Sequence, residues 1–325
     1  MVTANISRYS GQWSVINAMG KQLNITQLEL ARCVMMVGQS GYSQVFNQGF
    51  WRLCSLFALT YSNVDTIRGN LILSSTFQRL QQSEKVAVSY HLGMGLAKAC
   101  SEKLLNIPWL LHLDSIPNVV IGSQNRPVPT KFQLHATRKI AREPDLIGYD
   151  TQGNSHVFEA KGYSSGINTS ELQHAIDQVS QVVTINGVGP ATRTVSFSDL
   201  SASPFLITII DPDNDESFGY QIKINFNSYL RTHYSVFAET EIWRNAPQFQ
   251  VGDNRFIAFP IGKPEYYFGI EYKMLEQLTD FYNSGSTSRF QSLENFNFEI
   301  QNELLTIGQD GTILFNRNSK YVKSV

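Results

Sequence analysis

The apolar residues in the first third of the chain recur at spacings of three and four positions, which is the period of an α-helix. This pattern predicts that residues 1 to about 85 are helical, with Asn24 or Thr26 as the N-cap of one helix. A further helix is predicted from Ser89 to Leu105. Pro108 lies just beyond it, where a residue that cannot continue a helix is common.

Two short strands are predicted in the middle of the chain, on either side of the turn-forming segment from Asp150 to Ser155. Because successive side chains of a strand point to opposite faces, Glu159 and Lys161 share one face and Ala160 points to the other. Asp145 begins the first strand and can stand across from this acid and lysine. The hairpin therefore predicts that two carboxylates and an ammonium group converge at one edge of a sheet.

The remainder of the chain mixes helical and strand patterns. Apolar positions from Leu172 to Val183 predict an amphipathic helix that Gly187 to Pro190 closes, and the apolar run from Phe205 to Ile210 predicts a strand buried on both faces. The later predicted elements are a strand at Tyr220–Phe226, helices at Tyr229–Glu241 and Glu271–Tyr282, and a hairpin at Leu304–Phe315 built on an Asp-Gly turn.

This order of elements predicts an α/β fold with a mixed sheet flanked by helices. We divide the chain into a helical N-terminal module (1–87), a central α/β core (88–215) and an α/β C-terminal module (216–325).

Composition narrows the class of protein. The 325 residues are 42% apolar and 16% charged, which is typical of a globular protein with a sizeable core. The formal net charge of −1 gives no overall basic field, so an anionic ligand would have to be bound by local clusters. Three widely spaced cysteines, no secretory signal and no apolar run long enough to span a bilayer predict a cytoplasmic protein with free thiols and no membrane partner.

Several common kinds of site are disfavoured. The chain has no Cys-x-x-Cys pair, no phosphate loop of the Gly-x-x-x-x-Gly-Lys-Ser/Thr kind and no Gly-x-Ser-x-Gly elbow, and its six histidines have no metal-ligand spacing. Two carboxylates beside a lysine suit Mg²⁺ better, because this ion prefers carboxylate oxygens and retains several waters.

The pair Pro144-Asp145 and the triplet Glu159-Ala160-Lys161, with thirteen residues between the two acids, resemble the PD-(D/E)xK nuclease superfamily, which has the restriction-endonuclease-like fold. The resemblance covers roughly residues 88 to 212. It implies a Mg²⁺-dependent nuclease, with Mn²⁺ as a substitute, that hydrolyses phosphodiester bonds, above all in DNA. Restriction, phage defence and repair are the settings in which the family is common.

The resemblance also implies residue roles. Asp145, Glu159 and the carbonyl group of Ala160 would bind the metal, and Lys161 would orient the attacking water or offset charge in the transition state. Many members have an acid on the first core helix, where this chain has Glu102; a solvated helix charge is the alternative. Many also have a glutamine on the helix after the lysine, and Gln178 is the catalytic candidate there, although Val182 stands where the family often has a tyrosine.

Three alternatives stay open on the sequence alone. The acids and the lysine could form an exposed salt bridge, which contributes little stability. The chain could be a non-cleaving scaffold that keeps the fold and binds nucleic acid or protein, although a scaffold need not retain both acids and the lysine.

A basic run could bind phosphates beside the site or form a solvated strand face. Its residues are Arg126, Lys131, Arg138, Lys139 and Arg142. The near-neutral charge also favours a protein partner or a homo-oligomer.

Overall fold

A computed structural model describes residues 1–19, 21–37, 42–123, 143–166, 169–212, 219–237, 243, 245–284 and 302–325, without the side chains of 42–48 and 282–284. The α-helices in these ranges are α1 (Gln27–Val37), α2 (Tyr42–Asn63), α3 (Ser75–Gln78), α4 (Gln82–Leu105), α5 (Thr169–Ser180), α6 (Phe226–His233) and α7 (Tyr272–Ser284). Short 3₁₀ helices lie at Gly11–Ala18, Leu113–Ser115 and Ser235–Phe237.

The strands are, in chain order, β1 (Val2–Ser7), β2 (Gln22–Leu23), β3 (Val64–Ile67), β4 (Asn70–Leu73), β5 (Trp109–His112), β6 (Val120–Ser123), β7 (Leu146–Tyr149), β8 (Ser155–Tyr163), β9 (Val182–Ile185), β10 (Thr192–Asp199), β11 (Leu206–Ile210), β12 (Tyr220–Lys223), β13 (Gln248–Val251), β14 (Asn254–Ile261), β15 (Lys263–Glu271), β16 (Leu305–Ile307), β17 (Thr312–Asn316) and β18 (Val322–Ser324). The chain therefore has a mixed α/β fold, as predicted.

The central sheet has seven strands in the order β2-β1-β11-β10-β8-β7-β5. Strand β8 is parallel to β10 and antiparallel to β7, and β1 is parallel to β11, so the sheet is mixed. A six-stranded antiparallel sheet, β16-β17-β15-β14-β13-β18, forms the C-terminal part. Two smaller sheets are β6-β12-β9 and β3-β4.

Helix α4 packs closely against one face of the central sheet, because glycine meets glycine there. A Cβ atom on Gly93 would lie 2.7 Å from the backbone N of Gly162 in β8. Helix α5 covers the opposite face, since Tyr163 points away from Gly162 and its hydroxyl donates to Glu171 in α5 at 3.3 Å. The middle of the sheet is thus enclosed between two helices.

Several predicted elements are confirmed. Helix α1 begins after Thr26, whose Oγ1 accepts from the N–H of Glu29 at 3.0 Å, so Thr26 rather than Asn24 is the cap. Helix α4 includes the predicted segment, starts at Gln82 and ends at Leu105, and its C-cap Asn106 has a left-handed conformation with φ of 54°. The hairpin on the Asp-Gly turn is formed by β16 and β17.

The prediction that residues 1 to about 85 are helical is wrong in part. Strand β1 lies beside β11 in the central sheet, and β3 and β4 form their own hairpin. The pairing of β1 with a strand two hundred residues later is non-local, and the helical period of neighbouring segments gives no sign of it. The first predicted boundary, residue 87, falls inside α4.

The predicted helix from Leu172 to Val183 is also too long. Helix α5 ends at Ser180, and Val182–Ile185 forms strand β9 beside β12. Its β-branched residues favour a strand, although their spacing also fits the helical stripe. Strand β10 was not predicted, because Thr192, Thr194, Ser196 and Ser198 are buried polar residues that hide its alternation.

The buried apolar residues form one main cluster that extends from Val2 to Leu314. It takes side chains from all three predicted modules. The three cysteines are free thiols as predicted, with Cys33 and Cys100 buried and Cys54 half-buried. Within the described residues, no helix has both the length and the apolar character that crossing a membrane requires.

Candidate active site

The predicted acids and lysine come together where strand β7 ends. The β7–β8 ladder stops at the pair Leu146 and Phe158, while β8 continues to Tyr163 along β10. Asp145 immediately precedes β7, and Glu159 is the first residue of β8 beyond the ladder. The sequence of the hairpin therefore places both carboxylates at the same edge of the sheet, as predicted from the alternation of side chains along a strand.

Direct contacts join the three residues. The backbone N–H of Asp145 donates to Glu159 Oε2 at 2.8 Å. Lys161 Nζ donates to Asp145 Oδ2 at 3.2 Å and forms an ion pair with Glu159 Oε1, 2.5 Å away. The ammonium group thus lies between the two carboxylates.

This cluster is only partly exposed. The Glu159 side chain is fully buried, whereas about a quarter of the Asp145 and Lys161 side chains remains exposed (23% and 27%). An exposed surface salt bridge, the first alternative, does not describe a pair with one buried carboxylate. The cluster is a half-open site with a buried floor.

Burial controls the charge of Glu159. Loss of hydration, reinforced by the negative charge of Asp145, raises the pKa of Glu159 to about 7, although Lys161 opposes this shift. Burial alone would lower the pKa of Lys161, but the charges of Asp145 and Glu159 outweigh it and raise that pKa. The lysine is therefore a cation at neutral pH, and Glu159 is near its midpoint.

The donor set is compatible with a hard divalent cation. Asp145 Oδ2 and Glu159 Oε1 lie 3.2 and 2.5 Å from the same nitrogen atom, so one cationic group is already within reach of both oxygens. Carboxylate oxygens are the ligands that Mg²⁺ prefers. Two protein carboxylates leave the remaining positions for water and substrate. Among the described residues, no group of three or more His, Cys, Asp or Glu side chains is arranged to hold a metal.

Ala160 lies between the two key residues of β8, with its side chain buried. Its carbonyl group, the third predicted ligand, belongs to the same edge of the sheet. That role stays a prediction.

Gln178 is close to the site but contacts its backbone. The side-chain Nε2 donates to the carbonyl oxygen of Glu143 at 3.1 Å, two residues before Asp145. The glutamine thereby links α5 to the segment that carries the first acid. This contact suits a positioning residue rather than one that touches the substrate.

Glu102 belongs to a different cluster. Its carboxylate oxygens lie 2.5 Å from Arg32 and 2.9 Å from Lys98, and both cations also pair with Asp310 in the C-terminal hairpin. These four charged side chains, at most 5% exposed, are the buried ion cluster.

The position of Glu102 along α4 explains its distance from the acids. Gly93 is the point where α4 meets Gly162, and Glu102 lies nine residues, about 13 Å, farther along the helix axis. Gly162 and Glu159 moreover point to opposite faces of the sheet. The structure therefore places Glu102 away from Asp145 and Glu159, and the burial of Glu102 shows that the alternative of a solvated helix charge is wrong.

Sequence reasoning missed an aromatic pair beside the acids. The Tyr90 hydroxyl lies 3.4 Å from His112 Nε2, and the rings are stacked with centroids 6.1 Å apart. His112 pairs with Leu146 across β5 and β7, and the N–H of Leu113 donates to the carbonyl of Asp145 at 3.0 Å. No spacing rule connects Tyr90 and His112 with a hairpin more than thirty residues away, so the sequence carried no signal for them.

The basic run from Arg126 to Arg142 lies outside the described residues, and its two interpretations stay open. No family model matches the chain, and no curated protein or solved structure matches it either. The functional argument therefore rests on the geometry of the site.

Proposed function

We propose that the protein is a metal-dependent nuclease of the restriction-endonuclease-like kind that hydrolyses phosphodiester bonds, with DNA as the first substrate to test. The observation that carries this proposal is the arrangement of Asp145, Glu159 and Lys161 at the end of strand β7. Two carboxylates reach one ammonium group there, and one of the carboxylates is buried.

The surroundings of the hairpin support the same proposal. A mixed central sheet carries the acids on β8 and just before β7, α4 packs on one face, and α5 follows the lysine on the other. These features agree with the fold that the motif implies. The motif concerns the identities of a few side chains, whereas its surroundings concern the pairing of strands and the packing of helices, so the two are separate observations.

The side chains have distinct roles in the proposed reaction. Asp145 and Glu159 would hold the Mg²⁺ ion, with the Ala160 carbonyl as a third protein oxygen, and Mn²⁺ would substitute. When bound, the metal polarises the scissile phosphate and lowers the pKa of an attacking water. The hydrogen bond from the Asp145 N–H restrains Glu159 Oε2, so Oε1 is the oxygen that faces the site.

Lys161 lies between the two acids, and its ammonium group reaches both of them. About a quarter of its side chain is exposed, so the flexible stem would let the ammonium group turn toward a phosphate group of the substrate. There it would orient the water or offset charge that develops on the phosphate oxygens. The lysine thus offsets the charge of the two acids and would also act on the substrate.

The proposal is tested by incubating the wild-type protein with plasmid DNA, linear DNA and RNA in Mg²⁺ or Mn²⁺, with an EDTA control for each substrate. We expect strand breaks in at least one substrate that EDTA abolishes. Binding without cleavage of every substrate in both metals would favour the non-cleaving scaffold and contradict the nuclease.

A further inference from the structure

We propose that Tyr90 on α4 and Arg52 on α2 form a phosphate-binding edge beside the acid pair, where the backbone of the nucleic-acid strand is held next to the cleaved bond. This inference rests on the proposed function for its ligand class. It adds two residues that the motif does not include and that lie outside the predicted nuclease core or at its border.

Backbone contacts place Tyr90 next to the site. A Cβ atom on Gly162, directly after Lys161, would lie 2.1 Å from the carbonyl oxygen of Ser89. The turn of α4 that carries Tyr90 therefore touches β8 at the residue after the catalytic lysine. From the other direction, His112 ties Tyr90 to β5, and the N–H of Leu113, directly after β5, donates to the carbonyl oxygen of Asp145.

The hydroxyl group of Tyr90 is available as a donor. Its hydrogen bond to His112 Nε2 is long, at 3.4 Å, so exchanging it for a phosphate oxygen costs little. Burial, and then the charges of Asp145, Asp114 and Glu159, raises the pKa of Tyr90, which keeps the proton on the phenol at neutral pH. With 37% of the residue exposed, a ligand can reach the ring edge.

Arg52 supplies positive charge at the same place. Helix α2 packs against α4, and the charge of Arg52 on α2 acts on both Tyr90 and His91 of α4. Burial lowers the pKa of Arg52, yet a guanidinium starts from so high a value that it stays charged. The neighbouring imidazoles do not share this role, because burial lowers the pKa of His91 to about 4 and also lowers that of His112.

This combination of groups fits a phosphodiester backbone. A guanidinium binds phosphate oxygens through paired N–H donors, and a phenol adds one neutral donor. Such contacts carry no sequence information, so they would fix the register of a strand over Asp145 and Glu159 without selecting bases. They would also let the strand approach two carboxylates that would otherwise repel it.

The test measures binding of fluorescent single-stranded and duplex DNA in EDTA at several salt concentrations, so that cleavage plays no part. The variants are Arg52→Gln, Arg52→Lys and Tyr90→Phe. Lys323→Gln is the matched control, because it removes one exposed positive charge from β18 in the C-terminal sheet. Urea midpoints are recorded for all four to verify that each is folded at the assay temperature.

We expect Arg52→Gln to bind about tenfold more weakly and to lower the magnitude of the log–log salt slope by about 0.7–0.9, the value of one lost phosphate contact. Arg52→Lys should keep the slope. Tyr90→Phe should bind about three- to tenfold more weakly with an unchanged slope, since the lost donor is neutral. Lys323→Gln should match the wild type.

The inference is overturned when Arg52→Gln and Tyr90→Phe bind DNA as tightly as Lys323→Gln does. It is also overturned when the wild-type protein binds neither single-stranded nor duplex DNA. The same proteins are then assayed for cleavage with Mg²⁺. Cleavage by wild type that both variants retain in full would remove the phosphate-binding edge and leave the nuclease intact. Binding that depends on Arg52, without cleavage by any of these proteins, would support the phosphate-binding edge and contradict the nuclease.

Discussion

The backbone N–H of Asp145 donates a hydrogen bond to Oε2 of Glu159 at 2.8 Å. This contact closes the end of the β7–β8 hairpin and makes the separation of the two acids a property of the backbone. The remaining oxygen of Glu159 is directed to Lys161. The hydrogen bond therefore restrains how the two acids of the motif lie relative to each other.

Replacing Glu159 with glutamine should stabilise the metal-free protein at high pH. Burial raises the pKa of Glu159 to about 7 from an ordinary value of 4.5, so the folded protein holds a proton that the unfolded chain releases. This contribution to stability is full below about pH 4.5 and is lost as the pH rises through 7. At pH 8 we expect Glu159→Gln to be about 1–3 kcal/mol more stable than wild type, and at pH 5 nearly equal.

Urea unfolding at both pH values in EDTA measures this difference. Asp177→Asn, on the outer side of α5, is the control for removal of an acid that is not buried. If the free energies of unfolding of Glu159→Gln and wild type differ by the same amount at pH 5 and at pH 8, the pKa of Glu159 is not raised.

Metal affinity should rise with pH. A carboxyl group must lose its proton before it binds a cation, so the affinity for Mn²⁺ should increase about tenfold per pH unit below pH 7 and level off above it. Isothermal titration calorimetry in buffers of different ionisation enthalpy detects the released proton directly. Glu159→Gln should lose both the slope and the proton release, while an unchanged slope in that variant would assign the proton to another group.

The buried ion cluster should be structural. Removing the Glu102 carboxylate leaves Arg32 and Lys98 with Asp310 as their remaining acidic partner in the cluster, so Glu102→Gln should cost about 3 kcal/mol in the free energy of unfolding. Mn²⁺ affinity at a permissive temperature should stay at the wild-type level, because the carboxylate lies far along α4 from Asp145. Asp253→Asn, in an exposed turn, is the stability control. Loss of metal binding in Glu102→Gln with normal stability would restore the ligand role that the resemblance implied.

The contact between α4 and β8 should not tolerate a methyl group. A Cβ atom at Gly93 would lie 2.7 Å from the N of Gly162, so Gly93→Ala forces the helix or the strand to move. We expect a loss of at least about 2 kcal/mol in urea unfolding, together with slower cleavage because Lys161 precedes Gly162. Gly122→Ala in β6 has no atom within 4 Å of the new methyl group and should be near neutral. Equal effects at both positions would contradict the close packing.

Local rules predicted how the two acids and the lysine are arranged. Strand alternation and a cluster of turn residues were enough to bring Asp145, Glu159 and Lys161 together, because all three lie within one hairpin. Spacing along a helix did not predict the position of Glu102, since that depends on where α4 crosses β8. The crossing point is set by Gly93 and Gly162, and no pattern within either segment marks it.

The rest of the fold depended on long-range pairing. Strand β1 joins β11, and the Tyr90–His112 pair joins two elements that the sequence separates. The buried Thr and Ser residues of β10 resemble a polar loop until β8 and β11 are placed on either side. Such features follow from tertiary packing. Neither the spacing of apolar residues nor the intrinsic strand preference of each residue encodes them.

The most direct test of the central claim is the single-turnover cleavage rate of one DNA substrate in Mg²⁺, compared among wild type, Asp145→Asn, Glu159→Gln, Lys161→Met and the control Asp177→Asn. We expect each of the three site variants to lose at least about 100-fold in rate, as removal of a group that acts on the transition state does, while the control keeps the wild-type rate. Cleavage at the wild-type rate by Glu159→Gln would contradict the proposed active site.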